Sequence, residues 1–206
     1  MFSNNVNIAT VNTSGVVTGV STGTATISYT YTANGCTQTV QTIITVNPLP
    51  AVAAITGATN VCAGATTQLL SATSGGTWTT SNSAVATVSA SGVVTGVAAG
   101  TATITYTVTN GNGCTSSQSA DINVNSGITA TITAVGATTF CSGGNVTLTA
   151  SSGASYLWSN GAQTQSITVI ASGSYYVTVT SASGCTAVSA ATSVTVNPLP
   201  VVAGIT

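Results

Sequence analysis

The sequence predicts an all-β protein built of antiparallel β-sandwiches that repeat along the chain. Hydrophobic residues make up 43% of the 206 residues, and the β-branched Val, Ile and Thr that suit a pleated sheet are frequent. The eighteen-residue phrase "SGVVTGVAAGTATITYTV" at residues 91–108 has a near copy, "SGVVTGVSTGTATISYTY", at residues 14–31, with fourteen identical positions. A phrase that returns after 77 residues indicates a structural unit that is itself repeated.

The second half of this phrase has the period of a half-buried strand. Its apolar residues alternate with threonines, so that one face is apolar and the other carries hydroxyls: Ala102, Ile104, Tyr106 and Val108 against Thr101, Thr103, Thr105 and Thr107. Gly92, Gly96 and Gly100 separate short strands and suit tight turns. About seven strands of this kind fit each complete repeat, which is typical of a β-sandwich.

The near absence of charge excludes most kinds of functional site. The chain contains no Lys, Arg or His, and Asp121 is its single acidic residue, whereas soluble domains usually contain about 25% charged residues. Acid–base and nucleophilic catalysis, zinc and calcium sites, and nucleic-acid binding all depend on the missing residue types. We therefore predict no enzyme, no cofactor or metal, and no nucleic-acid partner. We expect Asp121 to be a solvated strand residue, and no apolar run approaches the roughly 20 residues of a membrane span.

Repeated landmarks divide the chain into predicted domains. A glycine, a strand, a small-residue turn and a cysteine follow one another from Gly23, Gly100 and Gly173. Proline occurs only in the "VNPLP" segments at residues 46–50 and 196–200, which we interpret as stiff linkers. The predicted domains are residues 1–47 (the C-terminal part of one domain), 48–125 and 126–197 (two complete domains) and 198–206 (the start of the next).

The five cysteines fit this layout as one disulfide for each complete domain. Cys62 is expected to pair with Cys114 and Cys141 with Cys185, while the partner of Cys36 would precede residue 1. The alternative is a set of reduced, buried thiols in a cytosolic protein. Disulfides would place the chain outside the cell or at the cell surface.

Four aromatic residues are candidates for a buried core or for ligand contact. Trp78 and Trp158 each follow a cysteine at similar spacing, and we predict that both are core residues in a middle strand. Tyr175 and Tyr176 are consecutive, so one of them must face outward from its strand. The outward tyrosine is a candidate for contact with a neighbouring molecule.

Residues 85–108, "VATVSASGVVTGVAAGTATITYTV", resemble the bacterial Ig-like domain, group 2. Residues 155–185, "SYLWSNGAQTQSITVIASGSYYVTVTSASGC", are similar to Ig-like or PKD-like modules in surface proteins of Bacteroidota. The resemblance implies tandem Ig-like sandwiches joined by short proline-containing linkers, which act as stalks and adhesive surfaces. It brings no catalytic residues with it.

Three functions are compatible with these features. The first is a structural segment of a long extracellular repeat protein, forming a surface stalk or a filament or sheath that assembles with other copies of itself. The second is an adhesive module that binds glycans or another surface. The third is ice binding through the Thr101, Thr103 and Thr105 row, although alternating threonines are also common on exposed strands.

Overall fold

A computed structural model describes residues 1–201 and shows an all-β protein with no helix in that range. Antiparallel pairing predominates, and the predicted Ig-like β-sandwich class is confirmed. Residue contacts divide the chain into two compact units. One contains Met1–Thr56, Leu69–Thr79 and Ile104–Ala120, and the other contains Gly57–Gln68, Thr80–Thr103 and the chain from Asp121 onward. Of the expected domain start at 198–206, residues 202–206 lie outside the described part.

The first strand set is dominated by one long hairpin. Its strands are β1 (Phe2–Ser3), β2 (Ala9–Val11), β3 (Val17–Gly19), β4 (Gly23–Ala33) and β5 (Cys36–Val46). The sheet has the order β1-β4-β5, and β2 pairs with β3 separately. The β4–β5 turn consists of Asn34 and Gly35, with φ of 51° and 77°. Two successive positive φ values are typical of the tight hairpin turns for which Asn-Gly is favoured.

The second strand set contains the repeated phrase in seven strands. They are β6 (Asn60–Cys62), β7 (Thr66–Gln68), β8 (Thr77–Thr80), β9 (Ala86–Val88), β10 (Val93–Gly96), β11 (Gly100–Thr109) and β12 (Thr115–Asn125). They form sheets of order β6-β12-β11-β8 and β7-β10-β9. The predicted alternation of β11 is confirmed, because its apolar residues are all buried: Ala102, Ile104, Tyr106 and Val108.

The third strand set has three small sheets around one core. Its strands are β13 (Ile132–Val135), β14 (Thr139–Cys141), β15 (Val146–Ala150), β16 (Ser155–Trp158), β17 (Ser166–Val169), β18 (Gly173–Tyr175), β19 (Val177–Thr180), β20 (Thr186–Val188) and β21 (Thr192–Asn197). The sheet orders are β13-β15-β17, β14-β21-β18 and β16-β19-β20. Trp158 is 2% exposed and packs with Leu148, Val177 and Val179 in the core.

The two tryptophans differ in burial, and neither lies on a middle strand. Trp158 is a core residue as predicted, and its indole N–H donates to the Thr164 carbonyl over 2.8 Å. Trp78 is only half-buried, and its ring centroid lies 4.6 Å from that of Tyr106. The prediction of a middle strand was wrong, because β8 and β16 each stand at the edge of their sheet.

The observed disulfide differs from the expected pairing. Cys62 is bonded to Cys185, with the Cα atoms 5.7 Å apart, and Cys36, Cys114 and Cys141 are free thiols. The expected pairs Cys62–Cys114 and Cys141–Cys185 are not formed.

The register of the strands explains why the expected disulfides are not formed. Cys62 pairs with Asn125 at the end of β12, whereas Cys114 precedes its first residue. The 11 residues of β12 separate the two cysteines by roughly 30 Å, but a disulfide needs Cα atoms within about 7 Å. In the third set, Cys141 pairs with Asn197 at the end of β21, while Cys185 precedes β20.

Candidate interaction surface

Cross-strand hydrogen bonds line the outer face of the β11–β12 hairpin. Thr101 donates to the Asn123 amide oxygen over 3.0 Å, and Thr103 donates to the Asp121 carboxylate over 2.7 Å. Thr105 and Ser119 share a hydroxyl hydrogen bond of 3.0 Å. These six residues, which we call the hydroxyl row, stand opposite the buried face of the same strands because side chains alternate along a strand. Asp121 is an exposed residue of β12, as expected, and its carboxylate accepts a hydrogen bond within this row.

The long β4–β5 hairpin has a similar row. The Thr30 and Thr39 hydroxyls are 3.1 Å apart, and those of Thr32 and Thr37 are 3.0 Å apart. Gln41 donates to Ser28 across the same pair of strands. On β15 and β17, Thr149 and Ser166 form one further pair at 3.0 Å. Cross-strand hydroxyl pairs of this kind stabilise a sheet and give it a polar but uncharged exterior.

Exposed apolar residues accompany the hydroxyls. On the β4–β5 hairpin, Tyr31 is 59% exposed, Val40 58% and Ile43 72%. Other exposed aliphatic residues lie on or beside strands of the third set: Val135, Leu157, Ile170 and Val188. Isolated exposed apolar residues are normal on protein surfaces, but here no lysine or arginine stands among them.

The two consecutive tyrosines lie in different environments. Tyr176 is 46% exposed, whereas Tyr175 is half-buried against the core of the third set. The Tyr175 hydroxyl donates to the Ala171 carbonyl over 3.1 Å. Tyr176 is therefore the member of the pair whose ring is available to another molecule.

No cluster of side chains suited to metal binding is found among residues 1–201. This part of the chain contains no group of three His, Cys, Asp or Glu side chains close enough to hold a metal ion. Every buried side-chain nitrogen or oxygen in it has a hydrogen-bond partner. The same residues include no helix of the length and apolarity that a membrane crossing requires.

Part of the chain matches a known protein family. Residues 40–119 match the bacterial Ig-like domain (group 2). The resemblance predicted from residues 85–108 is thereby confirmed for this segment. No curated protein matches the chain.

Several solved structures align with the chain at low identity. Domains 1–6 of the surface layer protein SbsC align at 20% identity and a TM-score of 0.28, covering 86% of this chain and 29% of that one. A Bacteroides ovatus glucan-utilisation protein, SGBP-B, bound to a mixed-linkage heptasaccharide, aligns at 19% identity and 0.27, covering 88% and 55%. A structure from a 1.5-MDa bacterial ice-binding adhesin aligns at 16% identity and 0.27, covering 92% and 82%. The chain thus spans less than a third of the SbsC structure.

Proposed function

We propose that this chain is a structural, non-catalytic segment of a long extracellular repeat protein that builds a surface stalk or a self-associating filament or sheath. Tandem Ig-like domains, with boundaries near residues 47, 125 and 197, are its units. Prolines 48, 50, 198 and 200 all fall at these boundaries and outside the strands, consistent with short stiff linkers.

The observation that carries the proposal is the hydroxyl row, in which Asp121 is the one charged residue, on a sheet whose edge strands β6 and β8 contain no lysine or proline. Proteins that remain monomeric usually protect edge strands with lysine, proline or inward-pointing charges, and stay soluble through net charge. This chain has a formal net charge of −1 and no positively charged side chain. Two such surfaces meet with little electrostatic repulsion, because Asp121 is the one carboxylate in each row, so copies of the chain can pack side by side.

The disulfide supports a location outside the cell. Bridges form and persist in oxidising compartments and are rare in the cytosol. The Cys62–Cys185 bridge also fastens the second strand set to the third. A covalent fastening of this kind suits a protein that must keep its form outside the cell.

Electron microscopy and sedimentation across a salt titration test self-association. We expect assemblies that persist from low to high salt, because there is little charge to screen. Thr105→Lys places a charge in the hydroxyl row, and Asn112→Lys places the same charge in the exposed β11–β12 turn. Only Thr105→Lys should weaken assembly. Monomers at every concentration, or equal effects of the two variants, would contradict the proposal.

Glycan adhesion is the second candidate, and the exposed tyrosines favour it. Tyr29, Tyr31 and Tyr176 are 44%, 59% and 46% exposed beside hydroxyl-bearing strands. Aromatic rings with a few well-placed polar groups are common linings of ligand sites. A glycan array should then give signals that Tyr176→Ala abolishes and Val188→Ala, at another exposed position, leaves intact. An array without signal would remove this candidate.

A further inference from the structure

The five cysteines occupy two kinds of position, and the first is the end of a strand. Cys62 and Cys141 each end a short strand that pairs in parallel with the last strand of its set, opposite Asn125 and Asn197 respectively. The residue after each cysteine donates its amide to that asparagine's carbonyl, over 2.9 Å at Ala63 and 2.8 Å at Ser142. We call Cys62 and Cys141 the strand-end cysteines.

The second kind of position is a hairpin turn. Cys114 and Cys185 each accept a backbone hydrogen bond from the residue four positions earlier, Asn110 and Ser181, over 3.0 and 2.8 Å. The amide of each cysteine donates in turn to the side-chain oxygen of that same residue, over 3.0 and 3.1 Å. Cys36 also closes a hairpin, opposite Ala33. We call Cys36, Cys114 and Cys185 the hairpin cysteines.

The one bridge in the structure joins a member of each kind, Cys62 to Cys185. In the second strand set the two kinds lie at opposite ends of β12, and in the third set they lie beside strands of different sheets, so they do not meet within a set. The three free thiols are one strand-end cysteine, Cys141, and two hairpin cysteines, Cys36 and Cys114. Because Cys141 is exposed and has the same backbone setting as bridged Cys62, the structure shows both an occupied and a free form of one site.

We propose that Cys141 forms a second bridge of this kind, with the hairpin cysteine of another Ig-like module, and that Cys36 and Cys114 form bridges with strand-end cysteines. The partner module lies either in the same polypeptide or in a second copy of this chain. The result is a series of modules in which every junction is covalently fastened from strand end to hairpin. This inference rests on the tandem organisation proposed above but not on association through the hydroxyl row.

The chemistry is thiol–disulfide exchange with a disulfide oxidant. The Cys141 thiolate attacks one sulfur of the oxidant, forming a mixed disulfide and releasing the other sulfur as a thiolate. The hairpin thiolate then attacks the Cys141 sulfur and releases the second oxidant thiolate. Two protein thiols lose two protons and two electrons, and the oxidant disulfide gains the two electrons as it becomes two thiols.

Disulfide mapping of the whole 206-residue chain tests the proposal. The chain is incubated in a buffer of reduced and oxidised glutathione, blocked with N-ethylmaleimide and digested with chymotrypsin, since it has no trypsin site. We expect Cys62–Cys185 within each molecule, and links of Cys141 to Cys36 or Cys114 between molecules. A Cys141 linked to a second Cys141 at least as often as to hairpin cysteines would overturn the proposal, and so would a Cys141 that N-ethylmaleimide blocks both here and in protein taken from its natural source.

Two variants and one comparison of masses separate the alternatives. Cys141→Ser should abolish the linked multimers, while Cys36→Ser should leave the Cys141–Cys114 link in place.

Protein taken from its natural source and blocked at once with N-ethylmaleimide shows where the partner module lies. Equal non-reduced and reduced masses indicate a module in the same polypeptide, and a non-reduced mass of two or more times the reduced mass indicates other copies of the chain. A bond map with the expected links in particles that do not associate laterally would support this inference and contradict only the hydroxyl-row packing.

Discussion

The Tyr106 hydroxyl accepts a 2.8 Å hydrogen bond from the amide of Gly76, and the Tyr106 ring fills the space where a side chain at position 76 would stand. The same hydroxyl donates to the Thr73 carbonyl over 2.8 Å. One buried tyrosine on β11 therefore holds the loop that leads into β8. Tyr156 makes the same double contact with the backbone of Gly153 in the third strand set.

Gly76→Ala should destabilise the protein through a clash with this ring. A Cβ at position 76 would lie 2.7 Å from Tyr106 Cε1, and overpacking of this kind typically costs about 1–3 kcal/mol. Thermal or urea unfolding followed by circular dichroism measures the loss. Gly111→Ala is the matched control, since no neighbouring atom lies within 4 Å of a Cβ there. Equal stability of the two variants would contradict the packing described for Tyr106.

Tyr106→Phe should also destabilise the protein, for a different reason. The ring remains, but the Gly76 amide and the Thr73 carbonyl lose their hydrogen-bond partner. Unsatisfied buried groups cost about 1–3 kcal/mol. We expect the same direction for Tyr156→Phe, whereas Tyr31→Phe at an exposed ring should leave the unfolding curve unchanged.

Substituting either cysteine of the disulfide should lower the free energy of unfolding, and substituting a free cysteine should not. Cys62→Ser and Cys185→Ser should each cost about 2–4 kcal/mol, the usual contribution of a native bridge, and reducing agent should have the same effect on the unmodified chain. Cys114→Ser, measured beside them on unlinked monomer in the same unfolding experiment, should have no effect because that thiol is free in the single chain. Destabilisation by Cys114→Ser as large as that by Cys62→Ser would show that Cys62 pairs differently.

The two tryptophans should differ in solvent access. In Trp78→Phe, with excitation selective for tryptophan, the emission comes from Trp158, and its 2% exposure predicts a blue-shifted emission that acrylamide quenches weakly. In Trp158→Phe the half-buried Trp78 should be quenched more strongly. Similar quenching constants for the two single-tryptophan variants would be inconsistent with the burial of Trp158.

The stability of the folded chain should be nearly independent of pH from about 5 to 7. Stability changes with pH only when folding changes the number of bound protons. Histidine, the usual group to titrate in this range, is absent. Urea midpoints measured at intervals across the range should coincide, and a steady drift would reveal a titrating group that this account lacks.

Features that depend on local sequence could be predicted. The alternation in residues 101–108 determines which side of β11 is buried, because successive side chains of a strand point to opposite faces. The outward position of one tyrosine in the Tyr175–Tyr176 pair follows from the same rule. The glycines of the repeated phrase mark the strand ends: β10 ends at Gly96 and β11 begins at Gly100.

Features that depend on the pairing of distant strands could not be predicted from the sequence. The bridge from Cys62 to Cys185 follows from the parallel pairing of β6 with β12, which places Cys62 at the far end of β12 from Cys114. Nothing in the spacing of the cysteines reveals that register. The edge positions of Trp78 and Trp158 likewise follow from sheet order. The residues that neighbour Trp78 in the sequence do not indicate that its side chain is partly exposed.

The cross-strand pairing of hydroxyls also determines how the protein meets its surroundings. The hydroxyls pair with one another or with Asp121, and the chain has a formal net charge of only −1, so the surface holds few ions and gathers little counterion atmosphere. A layer made of such surfaces would neither swell in fresh water nor shrink in brine, because no osmotic pressure of trapped ions acts between neighbours. In this respect the surface behaves more like a neutral polysaccharide coat than like an ordinary protein.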